Sequence, residues 1–238
     1  MNDKLVDYDN PNSLGARLRA RRATKLAALI HEVSEARGQV RIVDLGGRRN
    51  YWDLLSREYL ERHQVQVVIV NHQNELTQDS NDPIFEYING DACDLAQFED
   101  NSFDIVHSNS VIEHVGSWRK MKEFSREANR LAPYLFIQTP YFWFPVEPHF
   151  IKAFYHWWPK PIRVASRMHT RFHNRSLAST LDEAWSRVES EPILLDQRSF
   201  RYLYPDCEIV KERFGFLIKS LTAYRGPGTR RGLDQQAS

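Results

Sequence analysis

Five short runs rich in β-branched and other apolar residues divide the first 140 residues, and helix-spaced segments fill most of the gaps between them. This alternation constrains the fold more than any other feature, because parallel strands joined by helices must form a sheet covered on both faces. The runs are Val40, Ile42 and Val43; QVQVVIVN, ending at Asn71; IFEYINGD, residues 84–91; SFDIVHSNS, residues 102–110; and PYLFIQTP, residues 133–140. CEIVKERFGFLIKSLTAY, residues 207–224, reads as two late strands turning near Gly215. The expected fold is therefore α/β, a doubly wound, mostly parallel seven-stranded sheet with an antiparallel edge hairpin.

Residues 13–37 repeat apolar groups at helical spacing (Leu14, Leu18, Leu26, Leu29, Ile30, Val33) and stop at Gly38. Helices are also expected over Tyr51–Arg62 and Trp118–Leu131. The 238 residues suffice for one domain with a sizeable core, drawn at 1–225. The stretch from 141 to 200 is far longer than a crossover needs and reads as a substrate-side insertion. Residues 226–238, with three glycines and no apolar period, are expected to be a disordered tail.

The first residues lack the charged and apolar regions of a secretory signal, and no run reaches the roughly 18 to 20 apolar residues that span a bilayer, so cytoplasmic residence is expected. Cys93 and Cys207 lie far apart and read as reduced thiols. A net charge of +1 gives no global pull toward nucleic acid, and no nucleic-acid partner is expected.

In an open α/β sheet, ligands lie beyond the carboxyl ends of the strands. The first such end reads IVDLGGRRNYW, residues 42–52, which lacks the later glycines of a dinucleotide fingerprint. The other ends are Asn71, Gly90-Asp91-Ala92 and Ser108-Asn109-Ser110. Taken together, VRIVDLGG, NGDACDL and NSFDIVHSNSVIEHV resemble the motifs of the class I S-adenosylmethionine-dependent methyltransferases, over about residues 14–140 plus the closing strands.

The resemblance implies a Rossmann-like methyltransferase fold and S-adenosyl-L-methionine as cofactor. It sets Gly46 and Gly47 beside the methionyl portion, with Asp44 ordering the turn or reaching the ammonium through water. Asn71 would face the ribose, Asp91 would accept from the adenine amino group, and the Ala92 N–H would donate to the ring. The backbone of Ser108 or Asn109 would flank the methionyl end. Two positions depart from the family pattern: Arg48-Arg49-Asn50 replaces the third glycine, and Asn71 stands where a carboxylate is usual.

Methyl transfer is an in-line displacement served chiefly by alignment, with a base as an option. His114, just beyond the fourth strand, is one candidate base. VIEHV resembles the same region of quinone O-methyltransferases, but Ser110 replaces the extra glutamate of their metal-binding version, so no metal is expected. TPYFWFPVEPHF, residues 139–150, is similar to a loop of some bacterial methyltransferases and offers Glu147 and His149 for acceptor contact or as a base.

Nine of the eighteen residues from Tyr141 to Trp158 are aromatic, more than a local core readily absorbs. They suit an apolar or sugar-stacking pocket, or peripheral membrane contact. Arg163, Arg167, Arg171 and Arg175 follow at four-residue intervals and would make a basic stripe if helical, either a solvated face or a match for lipid or phosphate. The expected function is methylation, with oxygen favoured, of a small-molecule, glycan or lipid-linked acceptor. The alternative is a catalytically degenerate relative that binds without turnover.

Overall fold

The computed structural model describes residues 14–72, 82–147, 152–170 and 176–229. His149, Arg171, Arg175 and the tail from 230 lie outside the described residues, as does the side chain of Glu147. Helix α1 (Leu14–Arg37) leads to β1 (Val40–Leu45), α2 (Arg49–Trp52), α3 (Arg57–Arg62), β2 (Val65–Asn71), β3 (Phe85–Asn89) and β4 (Ile105–Asn109). Next come α4 (Trp118–Leu131), β5 (Tyr134–Pro140), a small hairpin of β6 (Val146–Glu147) and β7 (Lys152–Ala153), α5 (Lys160–His169) and α6 (Leu181–Glu189). Helix α7 (Gln197–Leu203), β8 (Glu208–Phe214) and β9 (Leu217–Arg225) close the fold.

The seven-stranded sheet has the order β3-β2-β1-β4-β5-β9-β8. Strands β1 to β5 pair in parallel, and β9 runs antiparallel to both β5 and β8. Gly215 turns this last hairpin at φ 59°, a left-handed angle that costs a side-chain-bearing residue but not glycine. The chain passes from β1 outward to β2 and β3, then crosses back to β4. The crevice between the ends of β1 and β4 is thus the topological switch point.

Strand alternation assigns the two faces. Val40 and Ile42 of β1 and Phe136 of β5 join Leu26, Leu29, Ile30 and Val33 of α1 in one core. Val43, Leu45 and Ile137 join Met121, Phe124 and Leu131 of α4 and Phe200 of α7 in the other. At about 1.5 to 3 kcal/mol for each fully buried large aliphatic or aromatic side chain, this two-sided burial is the main favourable term of the fold.

The helix expected over 51–62 is instead two helices. Ser56, in extended geometry, accepts from the Tyr59 N–H as the N-cap of α3, so the chain restarts there. The break frees the short α2 to direct Trp52 inward, where it is fully buried.

The insertion closes on itself at its base. Tyr141 bridges Leu195, and the Phe142 N–H donates to the Leu195 carbonyl. Within it, Glu191 receives three side chains: Tyr155 Oη at 2.8 Å, Arg167 Nη2 at 2.5 Å and Arg163 Nη1 at 2.7 Å. The expected basic stripe is thereby corrected at two positions. Arg163 and Arg167 turn inward because a buried carboxylate draws both guanidinium groups and is in turn neutralised by them. Burial and the neighbouring Glu191 push the Tyr155 phenol up to about 12.

Candidate active site

Asp44 organises the first strand end. It is fully buried, and its two oxygens accept from different rings: Oδ2 from Trp52 Nε1 and Oδ1 from His107 Nδ1, each at 2.7 Å. His107 faces Asp44 across the β1–β4 pairing, and its ring lies 4.6 Å from that of Tyr51 and 5.2 Å from that of Trp52. Nδ1 faces the carboxylate, and Nε2 lies on the far side of the ring. Asp44 thus ties α2 to β4 through its two side-chain bonds.

Both glycines are demanded by the protein's own packing. A Cβ on Gly47 would lie 1.8 Å from Asp44 Oδ2, and one on Gly46 would lie 2.6 Å from Val111 Cγ1. Gly46 also has φ 68°. The turn is bare because Asp44 supports it from below and Val111, from the loop after β4, covers it.

Ser110 directs that loop. Its φ of 57° is rare for a residue with a Cβ, and it is held by its N–H to the Gln138 carbonyl and its hydroxyl to Gln138 Oε1.

The bulk that replaces the third glycine leaves the turn in two directions. Trp52 goes inward to Asp44. Arg49 goes outward, where it pairs with Asp53 and lies over the Phe85 ring at 4.1 Å. Asn71 then takes on a task that a carboxylate there could not perform: its Nδ2 donates to the Gly47 carbonyl at 2.5 Å, tying the end of β2 to the turn. Asn71→Asp should set an oxygen against that carbonyl and weaken S-adenosylhomocysteine binding by about tenfold, the loss of roughly one good hydrogen bond. Calorimetric titration of the folded variant measures this, and tighter binding would mean that the family's usual carboxylate suits this pocket better.

The remaining expected cofactor residues sit at neighbouring strand ends. Asp91 follows β3, half-exposed, with Oδ1 accepting from the Cys93 N–H at 2.9 Å and Oδ2 3.4 Å from Lys120 Nζ. Burial works to raise its pKa, but the Cys93 N–H and the Lys120 ammonium outweigh burial and hold the carboxyl below its usual range. Ala92 is half-buried in the same turn. Ser108 is fully buried, and its hydroxyl donates to the Leu45 carbonyl at 2.9 Å, stitching β4 to β1.

Asn109 ends β4, and its Oδ1 is buried without a hydrogen-bond partner among the described residues. His107 Nε2 and Tyr51 Oη share that condition. Buried polar atoms ordinarily find partners, so His107 and Tyr51, whose rings adjoin, and Asn109 at the end of the same strand mark a place where a polar ligand is wanted. The donor and acceptor set fits S-adenosylmethionine: Asn109 Oδ1 suits its ammonium, Asp91 its adenine amino group and Asn71 a ribose hydroxyl.

Of the candidate acid–base residues, His114 is exposed at the end of a single 3-10 turn, Ile112–His114, beyond β4. Its neighbour Glu113 is fully buried and receives the Thr139 hydroxyl at 3.0 Å, while its carbonyl accepts from the Ile193 N–H. Glu113 therefore joins the loop after β4 to β5 and to the base of the insertion. Glu147 lies on β6 in the insertion. The described residues contain no group of three or more His, Cys, Asp or Glu able to hold a metal ion. They also contain no helix long and apolar enough to cross a membrane.

Sequence reasoning missed Tyr51, Trp52 and His107. The available signal was a polar side chain at an inward position of each central strand, Asp44 and His107, which at matching depth must find each other.

This sheet order, with an antiparallel strand inserted beside β5 and a glycine turn at the switch point, defines the fold of the class I S-adenosylmethionine-dependent methyltransferases. Residues 53–132, about a third of the chain, match the model of a family described as a methyltransferase domain. The matched stretch begins after the glycine turn and includes Asn71, Asp91, Ala92, Ser108, Asn109 and His114.

Among solved structures, the PH0226 protein from Pyrococcus horikoshii OT3 is similar at 18% identity and a TM-score of 0.52, covering 92% of this chain and 95% of that one. A candidate O-methyltransferase from Nostoc punctiforme aligns at 11% identity and a TM-score of 0.50, covering 89% of this chain and 58% of that one. An O-methyltransferase family protein from Burkholderia thailandensis aligns at 15% identity and 0.48, with 92% and 64% covered. The chain thus spans about three fifths of the length of the last two. No curated protein matches the chain.

Proposed function

We propose that this protein transfers a methyl group from S-adenosylmethionine to an oxygen of a small-molecule, glycan or lipid-linked acceptor. The observation that carries the reading is the set of buried, unpartnered polar atoms on Asn109, His107 and Tyr51 beside the Gly46-Gly47 turn, at the switch point of the sheet. When bound, the cofactor supplies a methyl group on a sulfonium leaving group. The chain's own work is alignment and exclusion of water.

Asp91 and Ala92 hold the adenine end, Asn71 accepts a ribose hydroxyl through Oδ1, and Asn109 Oδ1 accepts from the ammonium. The turn itself keeps its shape through the Asp44 bonds to Trp52 and His107. An acceptor enters over β4 and β5, between the loop carrying His114 and the insertion. His114, exposed at that mouth, takes the hydroxyl proton as a general base.

Calorimetric titration tests the cofactor half of this reading. The protein should bind S-adenosylhomocysteine, and Asp91→Ala should weaken that binding by about tenfold through loss of a charge-assisted acceptor. An Asp91→Ala variant that binds as tightly as the parent would remove the adenine from this strand end.

A further inference from the structure

The face formed by the start of the insertion and the tip of the β8–β9 hairpin carries a cluster of outward aromatic rings. Phe216 is 85% exposed and Trp143 56%, and Phe154, Trp157 and Phe214 are exposed as well. Trp157 stands 5.9 Å from Trp143 and 5.0 Å from Phe154, ring to ring. Phe144, next in the chain to Trp143, meets Phe214 of the hairpin at 6.5 Å, which brings the insertion and the hairpin side by side.

The rings are held outward. Phe154 has φ 64°, an uncommon and costly angle for a bulky residue, and its N–H is fixed to the Pro145 carbonyl at 2.7 Å. The Trp157 indole N–H donates to the Phe142 carbonyl, so its polar edge is satisfied on the protein side while the ring remains at the surface. Exposed apolar patches of this kind mark interaction sites.

Charge selects the partner. Residues 141–170 and 211–219 contain only two acids, Glu147 and Glu212, against seven lysines and arginines. Glu212 is withdrawn from the surface beside Arg22 and Ser220. Arg163 and Arg167 are consumed by Glu191. Lys160, Lys211 and Arg213 remain exposed on these segments, and Arg213 donates to the Phe216 carbonyl at the hairpin tip. Aromatic rings among exposed cations match the interfacial layer of an anionic bilayer, where rings enter the headgroup boundary and cations meet the lipid phosphates.

We infer that this aromatic and basic face docks the protein on an anionic lipid surface. The insertion follows β5 at the carboxyl edge of the sheet, so docking sets the proposed acceptor mouth against the membrane. The docking surface stands on its own observations, and the lipid-linked character it gives the acceptor rests on the proposed function.

The test uses the full chain and two vesicle preparations, phosphatidylcholine alone and phosphatidylcholine mixed with phosphatidylglycerol. The protein should sediment with the mixed vesicles, with tryptophan emission shifted to the blue, and should release as salt rises. The double variant Trp143→Ser with Phe216→Ser should bind the mixed vesicles at least about tenfold more weakly. Its melting temperature and near-ultraviolet dichroism confirm folding, and S-adenosylhomocysteine affinity, read separately, reports on the cofactor site alone. No sedimentation with the mixed vesicles, or unchanged sedimentation of the double variant, would overturn the inference. So would a vesicle-independent dimer lost in the double variant, which would make the face a protein contact.

Discussion

Gly47→Ala is expected to destabilise the protein by about 3 kcal/mol, the scale of a disrupted buried hydrogen-bond network, and to abolish S-adenosylhomocysteine binding. The added methyl would sit 1.8 to 2.4 Å from the three carboxyl atoms of Asp44. Asp44 cannot yield cheaply, because both its oxygens are engaged by the rings of Trp52 and His107 inside the core. Either the turn moves outward, or the carboxylate turns away and strands two buried N–H donors. For a domain of this size the loss corresponds to a fall of about 6 to 12 °C in melting temperature. Calorimetry reads both effects, and a variant melting within a degree or two of the parent would show that the turn is looser than this packing requires.

The second large effect falls on Asp44 itself. Asp44→Ala leaves the Trp52 and His107 donors without an acceptor in a fully buried place, at a cost of about 2 to 5 kcal/mol. Asp44→Asn should cost markedly less. The amide oxygen can serve one ring and the amide nitrogen can donate to the other once His107 takes its alternative tautomer. Denaturant unfolding of the two variants separates hydrogen-bond geometry from charge. Equal destabilisation would mean that the negative charge, and not acceptor geometry, holds the pair.

The sheet was legible in the sequence because its strands are short apolar runs with abrupt polar ends, and period and punctuation are local properties. The β8–β9 hairpin was legible for the same reason, since Gly215 marks its turn. The break between α2 and α3 was not: Tyr51–Arg62 has acceptable helical composition, and the Ser56 cap and the Asp44–Trp52 bond that divide it depend on the assembled structure.

The site was legible as a set of strand ends but not as a network. Register set Asp44 opposite His107, and register emerges only when the sheet assembles. Likewise Arg163 and Arg167 looked like a surface stripe because their acceptor, Glu191, lies 24 residues beyond Arg167. Arg48-Arg49-Asn50 stands in place of a third glycine, and Arg49 leans out over Phe85 while Trp52 bonds Asp44 from inside. The substitution of Asn71 for a carboxylate makes sense only with the Gly47 carbonyl beside it.

Four strand ends, at Asp44–Gly47, Asn71, Asp91–Cys93 and Ser108–Val111, are proposed to form one cofactor pocket. Backbone hydrogen exchange with and without S-adenosylhomocysteine tests it most directly. Slowed exchange is expected in these four segments together, with little change in β8 or α6. Protection confined to other segments, or no protection at saturating ligand, would contradict it.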